Sequence, residues 1–371
     1  MTGLSPAELG RYARQTLLPG FGLDGQTRLK EASVLVVGLG GLGSPVATYL
    51  AAAGVGHLRL ADPDRVALSN LHRQILFTTD DLGRPKHEVA RERLRRVNPD
   101  VTVDALGDRL EHDNADALLR GVDVVADGTD TFATRYLVND KAVSAGVLNA
   151  FASIRQFDGQ ASVFGAPDGP CYRCLFPEPP PPGAVPSCAD GGVIGVLPGL
   201  LGLLQATEVI KLVTGIGEPL IGRLLLVDAL GARTREVRVE KDPACPVCGT
   251  GRSPRPPIPP PMTTVPEITV HDLKARRDAG EPPFVLDVRQ PDEYEAANIG
   301  GALIPLGELP DRLDELASHR DDDVLVVHCR SGARSAQAVA LLQAAGFENA
   351  RNLKGGIHAW SDEIDTSVPK V

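Results

Sequence analysis

The chain has no excess of positive charge, no long uninterrupted apolar run and no internal repeat. With 38 Lys and Arg against 48 Asp and Glu, its formal net charge is −10, which argues against a general nucleic-acid binder. The opening "MTGLSPAELGRYARQ" lacks the apolar segment of a secretory signal, so a cytoplasmic location is expected. The longest apolar tract, 191–204, is broken by Pro198 and followed by Gln205, Glu208 and Lys211. It reads as a buried helix, not a membrane span. Cysteine is scarce, six in 371 residues. In a cytosolic chain those six are better read as metal ligands and reactive thiols than as disulfides.

The remaining composition describes a soluble globular protein. Hydrophobic residues make 43% of the chain and charged residues 23%, as in globular proteins. The length exceeds one ordinary core and suggests two domains. The boundary is the proline-rich 251–264 stretch, which favours extended polyproline II and should act as a semi-stiff spacer. It separates a first domain, 1–250, from a second, 265–371. The first opens on "SPAE", where Ser5 can cap a helix, Pro6 takes its first position and Glu8 completes a capping box. "ASVLVVGLGGLGSPVATYLAAAGVGHLRLAD" then reads strand, glycine-rich turn, helix, strand, one βαβ unit of a parallel sheet. The second domain alternates "FVLDVR", "VLVVHC" and a helix from about Ser331 to Ala345, a smaller α/β sheet. "FPEPPPPGAVPSCADGG" can be neither a central strand nor a helix interior, so it is an exposed loop carrying Cys188.

Gly38, Gly40 and Gly43 fit G-x-G-x-x-G. Such glycines let backbone approach phosphates at a helix N-terminus, and Asp62, ending the next strand, would hold ribose hydroxyls. Alone this suggests a dinucleotide and a dehydrogenase. The residues beyond Asp62 do not suit hydride transfer. Asp64, Asn70, Arg73 and Gln74 come just after that strand, Lys86 begins a helix, and "DGTD" puts Asp127 and Asp130 at the carboxyl end of a further strand. Cations there would neutralise phosphates and an aspartate would hold Mg²⁺. That set suits a triphosphate, although any one of these residues alone reads more simply as a surface charge or cap. The cations of 84–96 read mainly as a solvated helix face.

"RYARQ", "GLGGLGSP", "SNLHRQ" and "DGTD" together resemble the ThiF/MoeB adenylyltransferases, relatives of ubiquitin-activating enzymes. The resemblance implies ATP-dependent adenylation of the C-terminal Gly-Gly carboxylate of a small ubiquitin-like sulfur carrier. It places Gly40 and Gly41 at the phosphates and Asp62 at the ribose. It puts Asn70, Arg73 and Lys86 on the triphosphate and Asp130 on Mg²⁺ near the reacting carboxylate. It also implies a two-fold homodimer, in which Arg14 reaches the neighbouring subunit's ATP. Arg11, Arg14 and Gln15 are spaced to share one face of the first helix, where a cationic cluster is otherwise simply solvated. One residue departs from the family: Thr131 follows Asp130 where Asn is usual.

"CYRC" (Cys171, Cys174) and "CPVC" (Cys245, Cys248) are paired C-x-x-C knuckles whose four thiolates suit tetrahedral zinc. Redox pairs or disulfides are the alternative, without a secretory context or a surrounding βαβ motif to favour them. A structural Zn²⁺ would tie the first domain's end back to its middle.

In "VLVVHCRSGARS", Cys329 lies where a strand meets a helix N-terminus. Backbone N–H groups from Arg330 onward, with Arg330 and Arg334, should favour its thiolate. A cysteine phosphatase would need H-C-x₅-R. Here Ser335 takes that arginine's place and Arg334 comes one position early, a tighter cradle suited to a terminal sulfur. "VLDVRQPDEYEAANIGGALIPL", "HCRSGARS" and "NLKGGIHAW" resemble a rhodanese, a sulfurtransferase domain whose cysteine carries a persulfide. The 297–302 segment departs from the family's usual G-H-I-x-G-A, and Asp287 and Arg289 look like supports below the loop.

The fold expected is therefore α/β: a Rossmann-like adenylation domain with a structural zinc site, then a smaller rhodanese domain, as in MoeZ-type fusions. The function expected is carrier adenylation followed by attack of the Cys329 persulfide, giving a thiocarboxylate. The sulfur would come from thiosulfate or a cysteine desulfurase. From the resemblance Cys188 is a resolving thiol, though it also reads as a spare cysteine. Alternatives are a ubiquitin-type activator forming a Cys188 thioester with a regulatory rhodanese half, and a non-catalytic docking module.

Overall fold

A computed structural model describes residues 3–180, 192–249 and 265–370. The chain divides into two compact units, Arg28–Pro261 and Met1–Thr27 together with Met262–Val371. The 251–264 segment expected to act as a spacer lies outside the described residues, as does Cys188.

The larger unit is built on an eight-stranded sheet. Its strands are β1 (Ser33–Val37), β2 (His57–Ala61), β3 (Thr102–Leu106), β4 (Val124–Asp127), β5 (Leu148–Arg155), β6 (Asp158–Phe164), β7 (Arg223–Asp228) and β8 (Arg233–Arg238). Their order is β3-β2-β1-β4-β5-β6-β7-β8. The first five pair in parallel and the last three extend the sheet antiparallel. The chain moves outward from β1 to β3, then returns to place β4 on the other side of β1. That reversal opens a crevice beyond the carboxyl ends of β1 and β4, where open α/β sheets bind ligands. Every residue of β1 and β4 is buried, as a parallel sheet covered on both faces requires.

The apolar tract read as a buried helix forms part of the helix Val196–Thr214. Among the described residues this helix alone is long and apolar enough to cross a membrane, but 56% of its apolar window is buried within the fold. Gln205 donates to the carbonyls of Asp127 (2.8 Å) and Ala150 (2.7 Å). At Gly202 a Cβ would come within 2.6 Å of Pro45 Cγ, so the helix lies tight against the helix Gly43–Ala53. Its apolarity serves the core.

In the smaller unit a five-stranded parallel sheet has the order β11-β10-β12-β13-β9. The strands are β9 (Glu267–Ile268), β10 (Phe284–Asp287), β11 (Ala302–Leu303), β12 (Leu325–His328) and β13 (Ala350–Leu353). The run "VLVV" is apolar throughout because β12 is central and covered on both sides. Leu325 and Val327 pack with Ala338, Val339 and Leu342. Val324 and Val326 pack with Leu273, Ile357 and Trp360. The expected helix after the loop spans Ala333–Ala344.

Candidate active sites and metal centre

The crevice beyond β1 and β4 is a cleft of about 380 Å³. Its floor is the turn after β1. Gly38 adopts φ +85°, and a Cβ on Gly43 would lie 1.8 Å from the Gly38 carbonyl, so only glycine lets this helix start so close to the strand. Gly40 is different: a Cβ there would meet nothing nearer than Gln74 Nε2 at 3.8 Å. Its missing side chain keeps space open. Asp62, buried after β2, accepts from the backbone N–H of Leu39 (2.6 Å) and of Asp64 (2.8 Å). Burial pushes its carboxyl above the usual range, against the pull of Lys86 and the two N–H donors.

Gly40, Gly41, Asp62, Asn70, Arg73, Lys86 and Asp130 all line this one cleft. Lys86 opens the helix Lys86–Val97 and is itself buried, its Nζ 3.1 Å from Asp64 Oδ2. A buried ammonium needs anionic company, and here Asp64 supplies it. Arg73 is half-buried and donates to the carbonyl of Ser69 (2.9 Å). Asp130 is exposed in the cleft wall. Asp127 is not: it is fully buried, and its Oδ1 accepts from the N–H (3.0 Å) and hydroxyl (2.6 Å) of Thr129. It shapes the turn, and nothing in the local sequence separates it from Asp130. Thr131 caps the helix Phe132–Ala145, accepting from the Thr134 N–H. The departure from Asn therefore leaves a residue that can still start the helix.

A larger and more apolar cavity of about 1,030 Å³ adjoins this cleft. Asp130, Thr131, Arg135 and Ile154 line both. Arg135, which sequence reasoning missed, is buried between the rings of Phe132 and Phe151. Its spacing after "DGTD" was the available signal: five residues past Asp130, it falls in the first turn of the helix that Thr131 caps.

The four paired cysteines converge. Their sulfurs all lie within 4.8 Å of one another, although 74 residues separate Cys171 from Cys245. Cys171 Sγ is 3.6 Å from Cys245 Sγ, and Cys174 Sγ is 3.3 Å from Cys248 Sγ. All four thiols are free. Zn–S bonds of about 2.3 Å would set sulfur edges of roughly 3.8 Å in a tetrahedron, so the donor set fits a thiolate-bound metal. Burial, reinforced by neighbouring sulfurs, pushes the Cys171 thiol well up and Cys248 to about 11. A divalent cation reverses such a shift by stabilising the thiolates.

Cys329 follows β12 directly and is buried. Its sulfur accepts from the Gly332 N–H (3.2 Å), and the Ser335 hydroxyl lies 3.4 Å away, with Asn352 Oδ1 as its closer acceptor at 2.7 Å. Gly332 adopts φ +96°, which turns the loop into the helix Ala333–Ala344. A second helix, Gly356–Glu363, holds the loop from below: the N–H groups of Ile357 and His358 donate to the carbonyls of Cys329 (2.9 Å) and Arg330 (3.1 Å). A Cβ on Gly356 would lie 2.3 Å from the Cys329 carbonyl.

The two arginines expected beside the sulfur behave otherwise. Arg330 is exposed. Arg334 makes a two-pronged ion pair with Glu293 (2.6 Å each), which holds that carboxyl down to about 2. The sulfur's immediate donor is thus a backbone N–H, with the Ser335 hydroxyl beside it. Beneath the loop, Arg289 and Asp287 form a fully buried pair (2.7 Å). His328 beside them is held near 4 chiefly by burial, hence neutral at ordinary pH.

Ser5 and Glu8 form the capping box read from sequence. The helix ends at Arg11, however, and a separate short one covers Ala13–Thr16. Tyr12, buried between them, breaks the run, so Arg11 and Arg14 do not share one continuous helical face. Arg14 is exposed.

A cleft of this build at the reversal point of a parallel sheet, a four-cysteine centre and a cysteine-bearing loop on a second sheet define an adenylating enzyme joined to a sulfurtransferase module. The ThiF family matches residues 12–247 and the rhodanese-like domain residues 269–363. The chain belongs to the ThiF family and carries a C-terminal rhodanese-like domain. It is 44% identical to the probable adenylyltransferase/sulfurtransferase MoeZ of Mycobacterium tuberculosis, over 99% of this chain and 96% of that one. It is 57% identical to the sulfur carrier protein adenylyltransferase of Thermus thermophilus, over 65% of this chain and 91% of the relative. The adenylyltransferase and sulfurtransferase MOCS3 of Arabidopsis thaliana is 39% identical across 99% and 86%. Among solved structures, Escherichia coli MccB aligns with a TM-score of 0.58 at 24% identity, over 65% of this chain and 75% of that one, a likeness of fold.

Proposed function

We propose that this enzyme uses ATP to adenylate the C-terminal Gly-Gly carboxylate of a small ubiquitin-like sulfur carrier, then exchanges the adenylate for sulfur delivered by a Cys329 persulfide. The observation that carries the reading is the pairing, in one chain, of a cleft lined by Lys86, Arg73, Asn70 and Asp130 with a loop that wraps a single buried sulfur. The adenylating part is 1–250, the spacer 251–264 and the sulfurtransferase part 265–371.

In the first half-reaction, Gly40 leaves room for phosphates, Gly41 lines the same cleft while its bare Cα packs against Pro198, where a Cβ would come within 2.9 Å, and Asp62 takes the ribose hydroxyls. Asn70, Arg73 and Lys86 hold the triphosphate. A carboxylate oxygen of the carrier attacks the α-phosphorus, and the bond to the β-phosphate oxygen breaks as pyrophosphate leaves. Lys86, buried and fixed by Asp64, stabilises charge developing there without reorganising. Asp130, an exposed hard oxygen donor in the cleft, would hold Mg²⁺, which supplies further charge neutralisation when bound. The four cysteines would hold Zn²⁺ in a closed structural site, without a part in the chemistry. Arg14 acts at the partner subunit's cleft in a homodimer.

In the second half-reaction the outer sulfur of the Cys329 persulfide attacks the acyl carbon and AMP leaves, forming an acyl disulfide. A thiolate, Cys188 or an external reductant, then attacks the Cys329 sulfur. The thiocarboxylate leaves with the electron pair and a disulfide forms, to be reduced before the next cycle. Thiosulfate or a cysteine desulfurase recharges Cys329. Free cysteines at both centres call for a reducing compartment, the cytoplasm.

Incubation with ATP, Mg²⁺, a sulfur donor and a Gly-Gly-ending carrier tests the proposal. Intact mass of the carrier should rise by the replacement of one oxygen by sulfur. A carrier unchanged in mass, despite turnover of ATP to AMP, would refute the sulfur-transfer half.

A further inference from the structure

Building on the adenylation reading, we infer that Arg135 is the residue that grips the carrier's terminal carboxylate and presents it to the nucleotide. Two cavities meet in the larger unit. The 380 Å³ cleft holds the phosphate-binding residues, and the 1,030 Å³ cavity beside it is the more apolar and has room for an extended peptide. An acyl tail that reacts with ATP must cross from one to the other. Four residues line both, and among them Arg135 is the one cation.

Arg135 is a buried cation with Asp127 and Tyr172 near it and no carboxylate hydrogen-bonded to it among the described residues. It is only 8% exposed, yet it makes no ion pair among the described residues. One terminal nitrogen donates to the Thr129 carbonyl at 3.1 Å, and its Nε is buried with no acceptor. The buried Asp127 carboxylate lies in its field and offsets part of its charge, without a hydrogen bond between them: Oδ1 is held by Thr129 and Oδ2 has no hydrogen-bond partner. The rings of Phe132 and Phe151 flank the guanidinium, centroids 5.4 and 5.3 Å from its carbon, and the Tyr172 hydroxyl is its polar neighbour. The head is thereby kept in place rather than free to swing. A buried N–H left without an acceptor is costly, and an arginine is suited to a planar carboxylate. The bond to Thr129 ties the same guanidinium to the turn that carries Asp130. Arg135 therefore fixes where the carboxylate stops relative to the residue beside the reacting phosphate. Asp130 itself, an anion at the same junction, would repel a carboxylate unless a cation stood with it.

The test uses the full-length enzyme and a short fluorescent peptide ending in Gly-Gly, as free acid and as C-terminal amide, with a non-hydrolysable ATP analogue bound. Wild type should bind the acid at least tenfold more tightly than the amide, the worth of a charge-assisted contact being about tenfold to a hundredfold. In Arg135→Gln the acid should fall to within about twofold of the amide, both measured with the ATP analogue at saturation. Arg135→Lys keeps the charge but not the fork. It serves even where the Gln variant fails to fold, and its preference should drop at least threefold below wild type. A merely structural arginine would weaken acid and amide together. Retention of the full preference in either folded variant, or its absence in wild type, overturns the inference. Failure of wild type to exchange pyrophosphate with any Gly-Gly carrier would instead count against the adenylation reading.

Discussion

The turn after β1 and the turn after β12 share one plan and do opposite things with it. Both leave a buried parallel strand, pass through a residue with positive φ and enter a helix within six residues. The first has glycine at 38, 40, 41 and 43, and its two leucines, Leu39 and Leu42, are buried. Gly43 is forced by a contact, whereas Gly40 faces space that a triphosphate could enter. The second is wrapped around a side chain. Cys329 fills the loop, its sulfur takes the donors, and Gly332 and Gly356 exist to bring backbone up to it. The same strand–turn–helix geometry thus offers its N–H groups to a diffusing anion in one unit and to a covalently tethered sulfur in the other. Whether a side chain occupies the turn decides which.

The strongest way to break this comparison is to remove one occupant at a time. Cys329→Ala should lower sulfur transfer about a thousandfold or more, since the nucleophile itself is gone, and leave carrier-dependent ATP–pyrophosphate exchange intact. Lys86→Ala should lower exchange about a hundredfold or more, while thiosulfate sulfurtransfer persists. Loss of exchange in Cys329→Ala would show that the two turns do not work independently.

Next in size is the four-cysteine cluster of the larger unit, which could hold a metal. Cys174→Ser should abolish stoichiometric zinc, read by elemental analysis, and lower the thermal stability of that unit by several degrees or more. Alkylation of Cys329 by iodoacetamide should keep its wild-type rate. Metal-free protein with unchanged melting would sink the structural role.

The glycines sharpen the contrast further. Gly43→Ala puts a Cβ against backbone and should destabilise the fold by about 1–3 kcal/mol. Gly40→Ala should leave stability within about 0.5 kcal/mol yet weaken ATP binding, because the added methyl enters open cleft. Chemical denaturation and nucleotide titration separate the two. Equal stability losses would mean that Gly40 is structural as well.

The smallest effect concerns the loop's outer clamp. Arg334 holds the Glu293 carboxyl at about 2, below its ordinary 4.5. A depressed carboxyl stabilises the folded form fully above the ordinary value, and that contribution fades as pH falls through the folded one. The stability gap between wild type and Glu293→Gln should therefore be flat above pH 4.5 and shrink between 4.5 and about 2. A gap that grows on acidification would contradict the pairing.

Local chemistry needs few neighbours, and that part was legible in the sequence. A glycine triplet, two C-x-x-C pairs, a capping box at Ser5 and a lone cysteine between strand and helix each state their role within a dozen residues. The expected α/β classes, the helix starting at Lys86 and the buried helix near Pro198 follow from periodicity and proline placement. Distance in the chain hid the rest. Arg334 looked like a partner for Cys329 because only five residues separate them, but Glu293, 41 residues away, claims its guanidinium. Asp127 and Asp130 looked alike until the strand buried one and left the other at the cleft. Tyr12 turned inward and split a helix that spacing alone had made continuous. Arg135 resembled any helical arginine until two cavities met at its side chain. The sequence by itself determined which groups could react and which turns could form, because those depend on bonded neighbours and local backbone freedom. Only the tertiary structure decided which charge is already answered and which still lacks a partner, because that is settled by side chains brought together across the fold.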